Sequence, residues 1–299
     1  DYVCFTLLKP CCYDCFLPVF GNETMLLLSP AFIFSIDRQR DRPKPPRNRQ
    51  SKIMIMADPN LLIMVGMVFC LAGFVKGMVG LGLPTVSLGL LSIIVDLPTA
   101  MALLVMPSLA TNVWQALAGG QIGALWWRLW RFLLMAVVMV HLGAQLSTLV
   151  ETQFLHRCLG ALLLLYAISG LMTKPPQLSP HLEMILGPVC GAINGLLTGL
   201  TGTLFVPGVM FLQSIGLPRD ALVQAMGILF AASTASLGLA LYRHDLMPLS
   251  LGILSAAALL PALIGMQIGL GLRQRLSQDL FRQLFLIALG GLGGYILIA

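Results

Sequence analysis

Lys76 is the one firmly charged residue inside the long apolar stretches of this chain, and it directly precedes a run of glycines, Gly77, Gly80 and Gly82. A cation beside backbone that glycine allows to unwind, and beside helix N-termini whose free amides carry partial positive charge, makes a site that favours an anion. The alternative role for Lys76 is to snorkel its ammonium to the nearer interface. Neutral groups able to complete an anion site are Thr85 after the first glycine run, and Asn112 and Gln115 on the next apolar segment. In the second half the same role falls to Asn194, Gly195, Thr198, Gly199, Thr201, Gly202 and Thr203. A single Ser or Thr in a helix more often bonds its own backbone. Asn112, Gln115 and Asn194 instead require a ligand or an interhelical partner.

Other chemistry is excluded by what is missing around these residues. All seven acidic residues after Met56 (Asp58, Asp96, Glu151, Glu183, Asp220, Asp245, Asp279) fall in loops or at segment ends. That argues against a carboxylate proton relay, a cation site, or the paired carboxylates of an intramembrane hydrolase. The four histidines are isolated, with no metal-ligand spacing, and Cys12 and Cys15 form a CxxC without a second pair or a His partner. His141 lies mid-segment, where a packing role outweighs titration. No catalytic residue, metal or cofactor is expected, and the protein is read as a non-enzyme.

The elements that must hold these groups are membrane helices. Of the 299 residues, 58% are hydrophobic and only 10% charged, with a mean hydropathy of +0.89, which no ordinary water-soluble domain sustains. A net charge of +6 spread over this length forms no basic stripe, so nucleic acid is not a partner. From Leu61 the apolar runs are 61–95, 97–119, 126–149 and 155–172, then 184–217, 221–242, 247–270 and 282–299. Their lengths nearly repeat, and Gly73, Gly77, Gly80, Gly89, Pro98 and Met106 recur about 118 to 120 residues later as Gly191, Gly195, Gly199, Gly208, Pro218 and Met226. An internal duplication is the economical explanation.

The first run of each half is too long for one span. Thirty-five helical residues make a rod of ~52 Å against an apolar slab of ~30 Å. Gly77 to Pro84 and Thr198 to Pro207 are where Gly and Pro favour an unwound turn between two half-helices. Paired breaks at corresponding places point to a substrate site at the repeat interface. With eight alternating spans, Lys and Arg divide four against five between the two sides. With each long segment folded back as a hairpin, Arg128, Arg131, Lys174, Arg219, Arg273, Arg275 and Arg282 share one face, and only Arg157 and Arg243 the other. The second division satisfies the positive-inside rule and inverts one half relative to the other, with Trp126, Trp127 and Trp130 as an interfacial belt on the cytoplasmic face.

The expected architecture is therefore an all-α polytopic membrane protein built from two four-segment repeats, about eight hydrophobic segments. The first segment of each repeat is broken or re-entrant, and the repeats are inverted. Repeat 1 spans 56–180 and repeat 2 spans 181–299. Residues 1–55 match neither: the apolar stretch Met25 to Ile36 is too short to span, and Asp37 to Lys52 is rich in Arg and Pro. They read as an upstream reading-frame extension, with Met56 the true start, or as a disordered basic tail.

The doubled pattern Gly73-Phe-Val-Lys76-Gly77-Met-Val-Gly80-Leu-Gly82 and Gly191-Ala-Ile-Asn194-Gly195-Leu-Leu-Thr198-Gly199-Leu-Thr201-Gly202, each followed by a Leu-Pro turn at Pro98 or Pro218, resembles the TauE/SafE sulfite-exporter family of bacterial permeases over roughly residues 60–299. That family's halves usually read closer to Gly-x-Gly-Gly-Gly with an apolar Pro-Leu stretch. Here the first half has Gly80-Leu-Gly82-Leu-Pro84, and the second substitutes Thr201 and Thr203. The resemblance implies a multi-pass inner-membrane permease moving sulfite, sulfonate or a related small organic anion by alternating access. Its partners are then that anion and the lipid bilayer, and a homo-oligomer is compatible with the sequence.

Overall fold

The computed structural model describes residues 58–171, 177–273 and 278–298, the side chains of 278 and 279 excepted. The basic residues Lys174 and Arg275, like residues 1–55, lie outside the described residues. Among the described residues there are ten helices and no strand. In chain order they are α1 (Pro59–Val79), α2 (Leu83–Ile94), α3 (Leu97–Leu117), α4 (Ile122–Ser147), α5 (Thr152–Leu171), α6 (Pro180–Thr201), α7 (Gly208–Ser214), α8 (Arg219–Arg243), α9 (Leu249–Arg273) and α10 (Gln278–Ile298). Eight are long and apolar enough to cross a membrane; α2 and α7 are too short.

Local chemistry sets the starts and breaks. The side chains of Asp58, Asp96 and Ser179 accept hydrogen bonds from first-turn amides of α1, α3 and α6, each of which carries a proline in its opening turn. Gly80 (φ 84°) and Gly82 (φ 111°) end α1 and begin α2 in the left-handed region that side chains with a Cβ avoid, and Gly202 (φ 78°) ends α6 in the same way. Both breaks therefore fall within the expected glycine runs. The pieces are not equal half-helices, however: α1 has 21 residues against 12 in α2, and α6 has 22 against 7 in α7. Glycine at 80 and 202 permits the turn, and everything before it remains a full-length helix.

Most of the glycines singled out in the sequence serve packing. Within hydrocarbon there is no hydrophobic drive between helices, so close backbone approach through small residues supplies the contact. An added β-carbon at Gly73 would lie 2.0 Å from the Ala262 carbonyl oxygen, and one at Gly77 would lie 2.3 Å from that of Met266, so α1 and α9 touch backbone to backbone. Gly191, Gly195 and Gly199 meet the carbonyls of Phe132, Ala136 and Val140 in the same manner, joining α6 to α4. Since residue numbers rise together along both contacts, each of these pairs is parallel.

Two further pairs are antiparallel. Ser108 and Gln115 of α3 meet Thr234 and Val223 of α8, while Gly160 and Gly170 of α5 meet Gly293 and Leu286 of α10. The C-terminal part of α1 also meets that of α3, where Lys76 bonds Thr111 and Asn112. Consecutive long helices can finish at the same end only if the chain returns between them, and α2, about 18 Å long at 1.5 Å per residue, makes that return. The long first segment is thus a hairpin rather than a single crossing. The helix directions then place Arg128, Arg131, Arg219, Arg273 and Arg282 toward one end of the bundle and Arg157 and Arg243 toward the other.

The tightest glycine contacts leave no room for a side chain. Gly73→Val should drive a γ-methyl into the α9 backbone and destabilise by ~1–3 kcal/mol, read as a lower melting temperature of the detergent-purified protein. Gly66→Val on the same helix, where nothing lies within 4 Å of the added carbon, should leave melting unchanged.

Candidate functional site

Four helix ends converge on one cleft. The C-terminal parts of α1, α3 and α9 and the start of α8 enclose about 340 Å3, room for a small oxoanion with several waters. Lys76, Gly77 and Gly80 line it from α1, Thr111, Trp114 and Gln115 from α3, Arg219, Asp220 and Gln224 from α8, and Met266, Leu270 and Arg273 from α9. Three cationic side chains thus face the cleft against one carboxylate.

Lys76 is 5% exposed. Its Nζ donates to Thr111 Oγ1 at 3.1 Å and to Asn112 Oδ1. Asn112 is fixed in turn, because its Nδ2 donates to Ser108 Oγ at 3.0 Å, and Thr111 Oγ1 also donates to the Pro107 carbonyl at 2.7 Å. Among the described residues no carboxylate pairs with Lys76. An ammonium moved out of water and held only by neutral acceptors keeps an uncompensated positive field, which an anion would offset. The snorkelling alternative does not describe this side chain, which is buried between α1 and α3.

The position of α3 depends on a proline. Pro107 lies inside the helix and has no N–H for the Leu103 carbonyl. Ser255 of α9 fills the gap: its hydroxyl donates to Leu103 O at 2.7 Å and accepts from Met106 N at 3.0 Å. On the other side, Gln115 Nε2 donates to Val223 O at 2.8 Å, and Gln224 Nε2 donates to Ala116 O at 2.7 Å. Gln224 Oε1 also accepts from Gln121 N at 3.0 Å. This reciprocal clamp ties α3 to α8 and sets the width of the cleft between them.

The candidates named from sequence separate into two groups. Lys76, Gly77, Gly80 and Gln115 line the cleft, and Asn112 lies directly behind the ammonium. Gly82 faces Val75 and Phe285 instead, and Thr85 is buried with a hydroxyl that has no partner among the described residues. Asn194, Gly195, Thr198, Gly199, Thr201, Gly202 and Thr203 do not line the cleft. Of the two breaks only the first lines this cleft: α1 packs on α9, α6 packs on α4, and the α3–α8 pair stands between them. Gly195 and Gly199 are used in the contact with α4. Thr198 donates to Asn194 O and Thr203 O, and Thr201 donates to Leu197 O, as isolated threonines in helices tend to.

Some lining groups were not singled out from sequence. Arg219 and Arg273 served there only as topological charges, and Trp114, Asp220, Met266 and Leu270 carried no signal. Their proximity follows from α8 beginning where α9 ends, which no local pattern encodes. His141 Nε2 lies 3.3 Å from Ser236 Oγ on α8, an interhelical contact outside the cleft. Among the described residues no group of His, Cys, Asp and Glu is placed to hold a metal ion.

Eight long apolar helices among the described residues are the build of a multi-pass membrane protein. The family described as sulfite exporter TauE/SafE matches residues 65–296, and the chain belongs to it. Neither a curated protein nor a solved structure matches the chain. TauE/SafE is a family of membrane transporters, which accords with the expectation of a permease rather than an enzyme.

The hold on Lys76 can be measured by a double-mutant cycle. Asn112→Leu leaves the buried ammonium with Thr111 as its remaining partner and should destabilise by ~1–3 kcal/mol, while Lys76→Met with Asn112→Leu removes both polar partners and should regain much of the loss. Thermal melting of the purified variants reads this; equal melting of the single and double variants would show that Asn112 does not hold the charge.

Proposed function

We propose that this protein carries a small oxoanion of the sulfite or sulfonate class across the bacterial inner membrane by alternating access, binding it in the cleft at Lys76. The observation that carries the proposal is the buried ammonium with neutral partners alone. At the low effective dielectric of a bundle core its field is weakly screened, so an anion entering the cleft gains more than it would from a surface lysine. Arg219, Arg273 and the amino-terminal end of α8 add positive potential along the way in. Asn112 and Thr111 hold the ammonium in place so that it is already oriented when the anion arrives.

Alternating access is supported by the pairing of helices. Exchanging α1–α5 with α6–α10 turns the parallel pair α1–α9 into α6–α4, and the pair α3–α9 into α8–α4, while α3–α8 and α5–α10 map onto themselves as antiparallel pairs. This pairing supports a reading of the chain as two inverted repeats, 56–180 and 181–299, related by an axis in the membrane plane. The cleft is open at the α1 side, whereas Asn194, Thr198, Thr201 and Thr203 on the α6 side are fully buried. One side open with its counterpart closed is the asymmetry that such a carrier needs. Five arginines against two among the described residues support a cytoplasmic placement of the open end.

Sulfite binding to the protein in lipid nanodiscs, paired with exchange in proteoliposomes, tests the assignment. Lys76→Ala should lower sulfite affinity by ~10-fold or more, and Asn112→Asp should do the same by giving the ammonium a permanent counter-ion. Both variants should purify as monodisperse protein. Unchanged affinity in Asn112→Asp would show that the anion does not bind at Lys76.

A further inference from the structure

Beyond the cleft, polar contacts continue across an otherwise apolar core. Asn112, which holds Lys76, donates to Ser108, and Ser108 Oγ lies 3.4 Å from Thr234 Oγ1 on α8. Adjacent to Thr234, Ser233 is fully buried and its hydroxyl has no partner among the described residues. A methyl added to Gly208 would meet Asn194 Oδ1 at 2.6 Å and Leu229 at 2.9 Å, so Asn194 and Leu229 flank the same point. Ser233 is one turn beyond Leu229 on that face of α8, and Thr198 is one turn beyond Asn194 on α6. Since α6 and α8 run in the same direction, the hydroxyl of Ser233 comes to the side of the core where Asn194 and Thr198 lie.

Asn194 is also fully buried and only half satisfied. Its Oδ1 accepts from Gly208 N at 3.1 Å, while Nδ2 has no acceptor among the described residues. Buried donors normally find a partner, and two unmet donors on facing helices, at the end of a polar seam that starts at a cation, call for an acceptor that arrives.

We propose that Asn194 Nδ2 and Ser233 Oγ form a second station for the transported oxoanion, reached along the seam Lys76–Asn112–Ser108–Thr234 and emptied when the α6 side opens. This rests on the carrier function proposed above. The first station is charged and the second neutral, so the anion is drawn in at Lys76 and held more weakly at Asn194. A route conducts only if its sites bind well enough to be entered and weakly enough to be left. Asn194 is also the residue that corresponds to Lys76 in the second half, so the two stations occupy matching places in the two repeats.

Two variants test the second station. Asn194→Asp is nearly isosteric but replaces the free donor with an anionic acceptor. It should leave sulfite binding in nanodiscs within ~2-fold of wild type, because the cleft is untouched, while sulfite exchange in proteoliposomes falls ~10-fold or more. Ser233→Cys, in a variant whose native cysteines are replaced, should react with a negatively charged methanethiosulfonate, and sulfite should slow that reaction; Ala167→Cys, buried between α5 and α10, should not react. If Asn194→Asp does not purify as monodisperse protein, Ser233→Ala carries the same test by the same two measurements. Wild-type exchange rates in Asn194→Asp or Ser233→Ala, or an inert Ser233→Cys, would overturn the second station. If those results accompany loss of binding in Lys76→Ala, the carrier function stands without it, whereas a wild-type protein that neither binds nor exchanges sulfite removes both.

Discussion

Hydrocarbon offers no hydrogen bonds, so every buried polar group in this bundle must be met from within the chain or by a solute. That constraint explains the helices themselves, whose backbones are satisfied internally. It also explains the small irregularities. Pro107 leaves the Leu103 carbonyl without its usual donor, and Ser255 comes from α9 to supply one. Glutamines 115 and 224 reach across to opposite backbones. Against this background of repaired defects, the groups left incomplete among the described residues stand out: the Lys76 ammonium without a counter-ion, and Asn194 Nδ2, Ser233 Oγ and Thr85 Oγ1 without partners.

The glycines make that arrangement possible by a different route. Gly73 and Gly77 bring α1 against α9, and Gly191, Gly195 and Gly199 bring α6 against α4, at backbone contact. Two tight parallel pairs result, with α3 and α8 between them. The proposed alternating access needs units that stay intact while the surface between them rearranges, and pairs locked by carbonyl contacts suit that role. The polar seam runs through α3 and α8, where side chains rather than backbones make the contact.

Much of this was legible beforehand because the physical signals are strong. Apolar run length identified the spans, and glycine runs in segments longer than the bilayer located both breaks. Lys76 and Asn112 stand out in the sequence because a charge and an amide are costly in an apolar stretch. Family resemblance on the doubled glycine pattern agreed with the match over residues 65–296. Legibility failed where one signal has two causes. Glycine permits both an unwound turn and a close helix contact, so Gly80, Gly82 and Gly202 could not be told from Gly77, Gly195 and Gly199 by type. The arginines at 219 and 273 had a sufficient explanation as topological charges, which concealed their place beside the cleft.

By itself the amino-acid sequence determined that the chain is helical and membrane-embedded, that two long segments must break, and that a lone cation rather than a carboxylate lies within them. These follow from composition, run length and residue type, which are local properties. Only the tertiary structure decided that α1 and α3 end together, that Lys76 rests on Thr111 and Asn112, and that the two breaks lie on opposite sides of the α3–α8 pair. Those facts depend on which helices touch and in what direction they run, and side-chain shape at distant positions, such as Gly77 against Met266, sets that.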